Sequence, residues 1–192
     1  MIATVMHTST AELVTGLLDL FAPKAETILD TTYGSGLFWR RGNAPSSWAS
    51  RVVGLDRNPA RARNVAGDYT ALPFEDDTFD VVCFDPPHLC DGGAASIMRD
   101  RYGTFGSEHE LQQSIRRGLR ECSRVARSLV IAKLANYVHA QRPFRLTRWA
   151  EDELGDAFEV VLERRSPTGA DPKWGTQRTP RCIDSRFLVW TL

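Results

Sequence analysis

What the chain lacks narrows it first. Its four cysteines, Cys83, Cys90, Cys122 and Cys182, stand apart with no Cys-x-x-Cys pair among them, which argues against a zinc site or a disulfide scaffold and predicts no metal. No apolar run approaches the ~20 residues of a membrane span. The start, Met1-Ile2-Ala3-Thr4-Val5-Met6-His7, has no basic stretch ahead of a long apolar one, so the expectation is a soluble, cytoplasmic protein in a reducing compartment. Net charge is missing too, since 24 Lys+Arg balance 24 Asp+Glu, and no global field draws in a polyanion. The balance hides a gradient: 8 basic and 13 acidic residues lie in 1–100, against 16 and 11 in 101–192. The second half is the part suited to phosphates. No repeat or low-complexity segment interrupts the 192 residues, and 42% hydrophobic content suffices for one sizeable core. A single domain over 1–192 is expected.

What is there alternates between strand and helix signals. Thr8-Ser9-Thr10 offers capping hydroxyls ahead of a helix over 11–21, with Leu13, Leu17, Leu18 and Phe21 at helical spacing and Pro23 to end it. Thr27-Ile28-Leu29-Asp30 reads as a strand, followed by the turn Thr31-Thr32-Tyr33-Gly34-Ser35-Gly36, whose glycines allow positive φ and close approach of a ligand. Arg51 to Asp56 reads as a second strand, and Asn58-Pro59 as the start of a helix over 58–66. The acidic turn Glu75-Asp76-Asp77 leads into a central strand. Later come a helix over 108–127 with a run of arginines (Arg116, Arg117, Arg120, Arg124, Arg127), read as a solvated face, and an apolar strand over 128–134. A helix over 144–154 and strands over 158–164 and 187–191 complete the pattern. Such alternation, closed by two strands joined as a hairpin, predicts an α/β sandwich with a mostly parallel sheet and one antiparallel strand.

The central stretch is Phe79-Asp80-Val81-Val82-Cys83-Phe84-Asp85-Pro86-Pro87-His88. Its apolar run suits a strand buried on both faces, and two prolines stop it at a rigid corner. In an open α/β sheet, ligands bind at the carboxyl ends of strands. Asp56, 20 residues beyond Gly36, is placed to accept both ribose hydroxyls of an adenosine. A dinucleotide fingerprint needs a third glycine three residues after Gly36, where this chain has Trp39. That side chain would obstruct a pyrophosphate, which turns the reading away from a nicotinamide cofactor.

Asp85-Pro86-Pro87-His88 resembles the Asp-Pro-Pro-aromatic signature of methyltransferases that act on exocyclic base amines with S-adenosylmethionine (SAM), and Asp30, Gly34 and Gly36 match the SAM-site pattern Asp-x-x-x-Gly-x-Gly. Thr32-Tyr33-Gly34-Ser35-Gly36-Leu37-Phe38-Trp39 and Arg101-Tyr102-Gly103 are similar to segments of small stand-alone bacterial and phage DNA methylase-like proteins. The resemblance implies the Rossmann-like, seven-stranded class I methyltransferase fold. It also implies cofactor contacts from Asp30 (near the methionine amino group), Thr31, Tyr33, Gly34, Ser35, Gly36, Asp56, Arg57, Asp68 (at the adenine amine) and Tyr69. Asp85 and the Pro86 carbonyl would orient the amine in the corner that Pro87 stiffens, with His88 stacking where the family usually has Tyr, Phe or Trp. No Pro-Cys nucleophile is present, which disfavours carbon-5 chemistry.

Substrate contacts are expected from Arg101 and Tyr102 in a loop over 89–106, from Lys133, and from Lys173, Trp174 and Arg178 in a basic segment over 166–186. With no separate target-recognition domain, either those two loops read the target, or a protein partner or a homodimer does, or the substrate is structured RNA. The expected reaction is methylation of adenine N6 in DNA, ahead of cytosine N4. Rivals are guanine-N2 or adenine-N6 methylation of RNA, a small-molecule methyltransferase, and a non-catalytic SAM-binding subunit.

Overall fold

A computed structural model describes residues 3–6, 9–87, 105–139, 142–163 and 184–192. In chain order the elements are β1 (Ala3–Met6), α1 (Thr10–Phe21), β2 (Ile28–Asp30), a small hairpin of β3 (Arg40–Arg41) and β4 (Ala44–Pro45), then β5 (Val52–Asp56), β6 (Val65–Ala66) and β7 (Phe79–Phe84). After them come α2 (Glu108–Val125), β8 (Ala126–Leu134), a hairpin of β9 (Tyr137–His139) and β10 (Arg142–Phe144), α3 (Leu146–Leu154), β11 (Phe158–Glu163) and β12 (Asp184–Thr191).

The main sheet runs β1-β11-β12-β8-β7-β2-β5-β6. Neighbours are parallel except around β12, which is antiparallel to both β11 and β8. The strands from β6 to β11 are the expected seven-stranded, mostly parallel sheet with one antiparallel strand from the carboxyl-terminal hairpin. The chain leaves β2 for β5 and β6 on one side, then returns to place β7 on the other. The strand order therefore reverses at β2, the position where open α/β sheets bind ligands.

Side-chain alternation sorts the core onto two faces. Ile28, Val52, Val81, Cys83, Leu129, Ile131, Phe187 and Val189 point toward α1, whose Leu13, Val14, Leu17 and Leu18 join them with Phe38, Trp39 and Trp48. Leu29, Leu55, Val82, Phe84, Val130 and Ala132 point toward α2, whose Leu111, Ile115, Leu119, Cys122 and Val125 cover them. Each fully buried Leu or Ile stabilises by roughly 1.5–3 kcal/mol. Helix α1 starts on a capping box in which Ser9 and Glu12 exchange side-chain and backbone bonds. At the far end of the sheet, the Asp80 carboxylate gathers the Glu26 and Thr27 amides, the Thr27 hydroxyl and Arg127.

Three local expectations are corrected. The helix read over 58–66 is absent: after β5 the chain makes one turn closed on the Asn58 carbonyl by Arg61 and Ala62, and Val65–Ala66 pairs as edge strand β6. The Asn64 side chain accepts the Gly54 N–H, and the Asn64 N–H donates to the Gly54 carbonyl. Those bonds hold 64 beside the strand, where a continuing helix could not reach. The helix read over 108–127 ends at Val125, and β8 begins at once at Ala126, so Arg127 belongs to the strand. The start, read only for the absence of a leader, contains β1, which extends the sheet to eight strands.

Candidate functional site

The site is built where β2, β5 and β7 end side by side. Beyond β2, the Thr31 amide and hydroxyl both donate to the Cys83 carbonyl at 3.0 and 3.1 Å, and the Asp85 amide donates to the Thr32 hydroxyl at 2.8 Å. The turn after β2 is thus stitched to the last residues of β7. Pro86 is buried and Pro87 half-buried, so the corner after Asp85 is fixed by packing as well as by ring geometry.

The carboxylate of Asp85 takes the Lys133 ammonium on Oδ2 at 2.7 Å. Strand register dictates this pair. Phe84 lies opposite Ala132, so the next residues, Asp85 and Lys133, fall together on the face toward α1. The Lys133 ammonium also stands over the Phe38 ring at 5.8 Å.

Asp30, almost fully buried at 3% exposure, accepts the Thr32 N–H on Oδ1 at 3.0 Å and the Trp39 indole N–H on Oδ2 at 2.6 Å. Burial pushes its carboxyl up to about 7 against the pull of these two bonds, and the charges of Asp85 and Asp56 add to the rise. Asp56 closes the glycine turn from the other side, taking the Gly34 N–H on Oδ2 and the Asn58 N–H on Oδ1, both at 2.8 Å. Gly34 and Gly36 have φ of 55° and 69°, the left-handed region that glycine enters without strain. The Tyr33 ring lies against Gly54, where an added Cβ would come within 2.5 Å of it. Tyr33 is therefore packed beneath the turn.

The structure brings together Asp30, Thr31, Tyr33, Gly34, Gly36, Asp56, Asp85, Pro86, Pro87 and Lys133. Ser35 and Arg57 lie exposed on the same rim, and the Ser35 carbonyl takes Arg40 Nε. Asp68 accepts the Thr70 amide and hydroxyl on Oδ1. Tyr69, expected beside the cofactor, belongs to the core under α2: its ring meets Phe84 edge-on at 5.1 Å, its hydroxyl pairs with Ser114 at 2.7 Å, and burial pushes that hydroxyl up to about 12. His88, Arg101, Tyr102, Lys173, Trp174 and Arg178 lie outside the described residues.

Sequence reasoning missed two members of the site. Trp39, standing where a dinucleotide fingerprint would carry its third glycine, donates to Asp30, and Thr32 anchors the Asp85 backbone. Both stand in the quoted Thr-x-Gly-x-Gly-x-x-Trp run, which was the available signal. Three of the four α2 arginines serve internal contacts. Arg116 and Arg120 share Glu153 of α3, and Arg124 holds Glu121, Asp76 and the carbonyls of Leu72 and Phe74. A groove of about 340 Å³ between α1 and the β3–β4 hairpin, lined by residues such as Thr15, Asp19 and Ser47, shares no residue with the site. Burial pushes the thiols of Cys83 and Cys122 up, which makes both poor nucleophiles.

The donor set fits SAM. Asp56 and Asp85 would offer carboxylate oxygens, and Asp30 would do so on losing its proton, to a sulfonium and an α-ammonium at adjacent strand ends, and the glycine turn allows close approach.

No family model and no curated protein matches the sequence. Solved structures resemble its fold. A SAM-dependent methyltransferase from Archaeoglobus fulgidus superposes with a TM-score of 0.52 at 15% identity, covering 95% of this chain and 94% of that one. A protein provisionally described as an rRNA-methylase from Clostridium thermocellum gives 0.50 at 12% identity over 97% and 100%. PH0226 from Pyrococcus horikoshii gives 0.48 at 17% over 94% and 88%. Identities this low speak to the fold alone, and that fold is the Rossmann-like class I methyltransferase sandwich. Among the described residues no helix is long and apolar enough to cross a membrane.

Proposed function

We propose that the chain is a SAM-dependent methyltransferase acting on an exocyclic amine of a nucleic-acid base, adenine N6 in DNA ahead of cytosine N4. The observation that carries this reading is the Asp85-Pro86-Pro87 corner, anchored through Thr32 and Lys133 beside the carboxylate-lined reversal point of the sheet. Bound SAM supplies an electrophilic methyl group on a sulfonium.

The chain's own residues prepare the acceptor. A base amine is a weak nucleophile because its lone pair is delocalised into the ring. Asp85 Oδ1 and the Pro86 carbonyl accept its two N–H groups and favour the pyramidal form that can attack. The methyl carbon would pass to nitrogen, and the electron pair of the carbon–sulfur bond would stay with sulfur. The positive charge growing on nitrogen faces Asp85, and the surplus N–H proton leaves by way of that carboxylate to water. Asp56 is the acceptor for the ribose hydroxyls and Asp30 for the α-ammonium. Target recognition falls to the segments 89–106 and 166–186, or to a protein partner or second copy, within a single domain over 1–192.

Asp85→Ala tests the assignment. Methyl transfer to oligonucleotides should fall at least 100-fold, about 3 kcal/mol of transition-state stabilisation, while S-adenosylhomocysteine binding by calorimetry stays within about threefold. Because alanine leaves the Lys133 ammonium without its partner, Asp85→Asn is the companion variant. It keeps an acceptor oxygen and should retain more activity than Asp85→Ala. Retained full turnover in Asp85→Ala would remove the corner from the chemistry.

A further inference from the structure

Lys133 stands out by kind as well as by place. The chain has only three lysines, Lys24, Lys133 and Lys173, among 24 basic residues. One of them sits on the catalytic carboxylate, although arginine, with its planar fork, is the usual choice for an ion pair. Its side chain is 14% exposed and its ammonium stands 5.8 Å from the Phe38 ring. A lysine ammonium carries three N–H donors and no acceptor, and the bond to Asp85 Oδ2 uses one. The corner therefore presents a carboxylate acceptor and an ammonium with two further N–H donors side by side, the ammonium held 2.7 Å from Asp85 Oδ2.

We infer that Lys133 reads the ring nitrogen next to the target amine, so that the site selects bases whose amine adjoins an unprotonated ring nitrogen. This rests on the base-amine reading above and goes beyond it by naming the edge that is recognised. Adenine presents N6–H beside N1, and cytosine N4–H beside N3; each is a donor beside an acceptor, complementary to Asp85 and Lys133 in that order. Guanine presents on its Watson–Crick edge an N2 amine beside N1–H. That edge would set donor against donor at the ammonium, and such an unpaired polar contact in a half-buried site is strongly unfavourable. Guanine offers the required pair only from its sugar side, N2 with N3. The pair thus rejects guanine presented by its Watson–Crick edge and admits it only through N2 with N3.

The test exchanges one ring atom of the substrate and one residue of the protein. Oligonucleotides carry adenine or 1-deazaadenine at the position that the wild-type chain methylates, mapped beforehand; for a cytosine target the pair is cytosine and 3-deazacytosine. The deaza base keeps the amine and replaces the ring nitrogen with C–H. With the wild-type chain, kcat/KM should fall about tenfold to a hundredfold on the deaza substrate, the usual effect of losing a charged hydrogen bond. With Lys133→Met the two substrates should differ less than about threefold, while Lys133→Arg, which keeps a donor, should still discriminate. Any change in intrinsic amine reactivity is common to all three proteins and cancels in the comparison. S-adenosylhomocysteine binding and a thermal melt establish that each variant is folded. Equal deaza effects in wild type and Lys133→Met, or none in either, overturn the inference while leaving the base-amine reading intact. Absence of transfer to any oligonucleotide, with cofactor binding retained, overturns the base-amine reading and this inference with it.

Discussion

Asp30 makes the structure's electrostatics measurable before any substrate is known. Its carboxyl is raised from 3.8 to about 7, and each pKa unit is worth 1.36 kcal/mol between protonation states. A shift of about three units therefore corresponds to about 4 kcal/mol of folding free energy. Because the raised value belongs to the folded state, the folded chain holds a proton between pH ~4 and ~7 that the unfolded chain has released. Stability from this group is full below pH ~4 and is lost as pH rises to 7, at up to about 1.4 kcal/mol per unit. The perturbation is Asp30→Asn, and the assay is urea unfolding of the cofactor-free protein at pH 5, 6, 7 and 8. Asparagine has one acceptor for the two donors, Thr32 N–H and Trp39 N–H, so its curve is offset by about 1–3 kcal/mol. The offset is constant with pH. Groups common to both proteins cancel in the difference, so wild type should lose about 2 kcal/mol relative to the variant between pH 5 and 7, then level off. Curves that run parallel would refute the assignment of a protonated, buried Asp30.

Other perturbations probe the frame around the site. Gly118→Ala places a Cβ 2.6 Å from the Phe84 ring and 2.8 Å from the Tyr69 ring; α2 must lift from the sheet, and chemical denaturation should register about 1–3 kcal/mol of destabilisation. Asp80, held down to about 2 against the burial that would raise it by the Glu26 and Thr27 amides and Arg127, contributes stability that is full above pH ~4 and vanishes as pH falls toward 2. Asp80→Asn should move the midpoint of acid unfolding to higher pH, and an unchanged midpoint would count against this knot.

The parts of the site legible in the sequence are those encoded in contiguous residues. An apolar run halted by Pro86-Pro87 locates the end of β7 without any knowledge of its neighbours, and Gly34 and Gly36 mark a turn because few other residues enter positive φ. What stayed hidden depends on register and on distant contacts. The Asp85–Lys133 pair, 48 residues apart in sequence, requires knowing that Phe84 faces Ala132. Trp39 reaches Asp30 only because residues 37–48 fold back across the turn with no helix there. Four-residue β1 has no signal apart from its partner β11, and Asn58-Pro59 is as good a start for one turn as for a helix. Tyr69 carries the same letter whether it flanks a cofactor or fills the space beneath Gly118; packing decides.

The most direct test of the account is transfer of labelled methyl from SAM to DNA and, in parallel, to RNA, followed by nucleoside analysis. The account predicts label in N6-methyladenine of DNA, or in N4-methylcytosine. Label confined to a guanine amine of RNA, to a small-molecule acceptor, or to nothing despite measurable cofactor binding would contradict it.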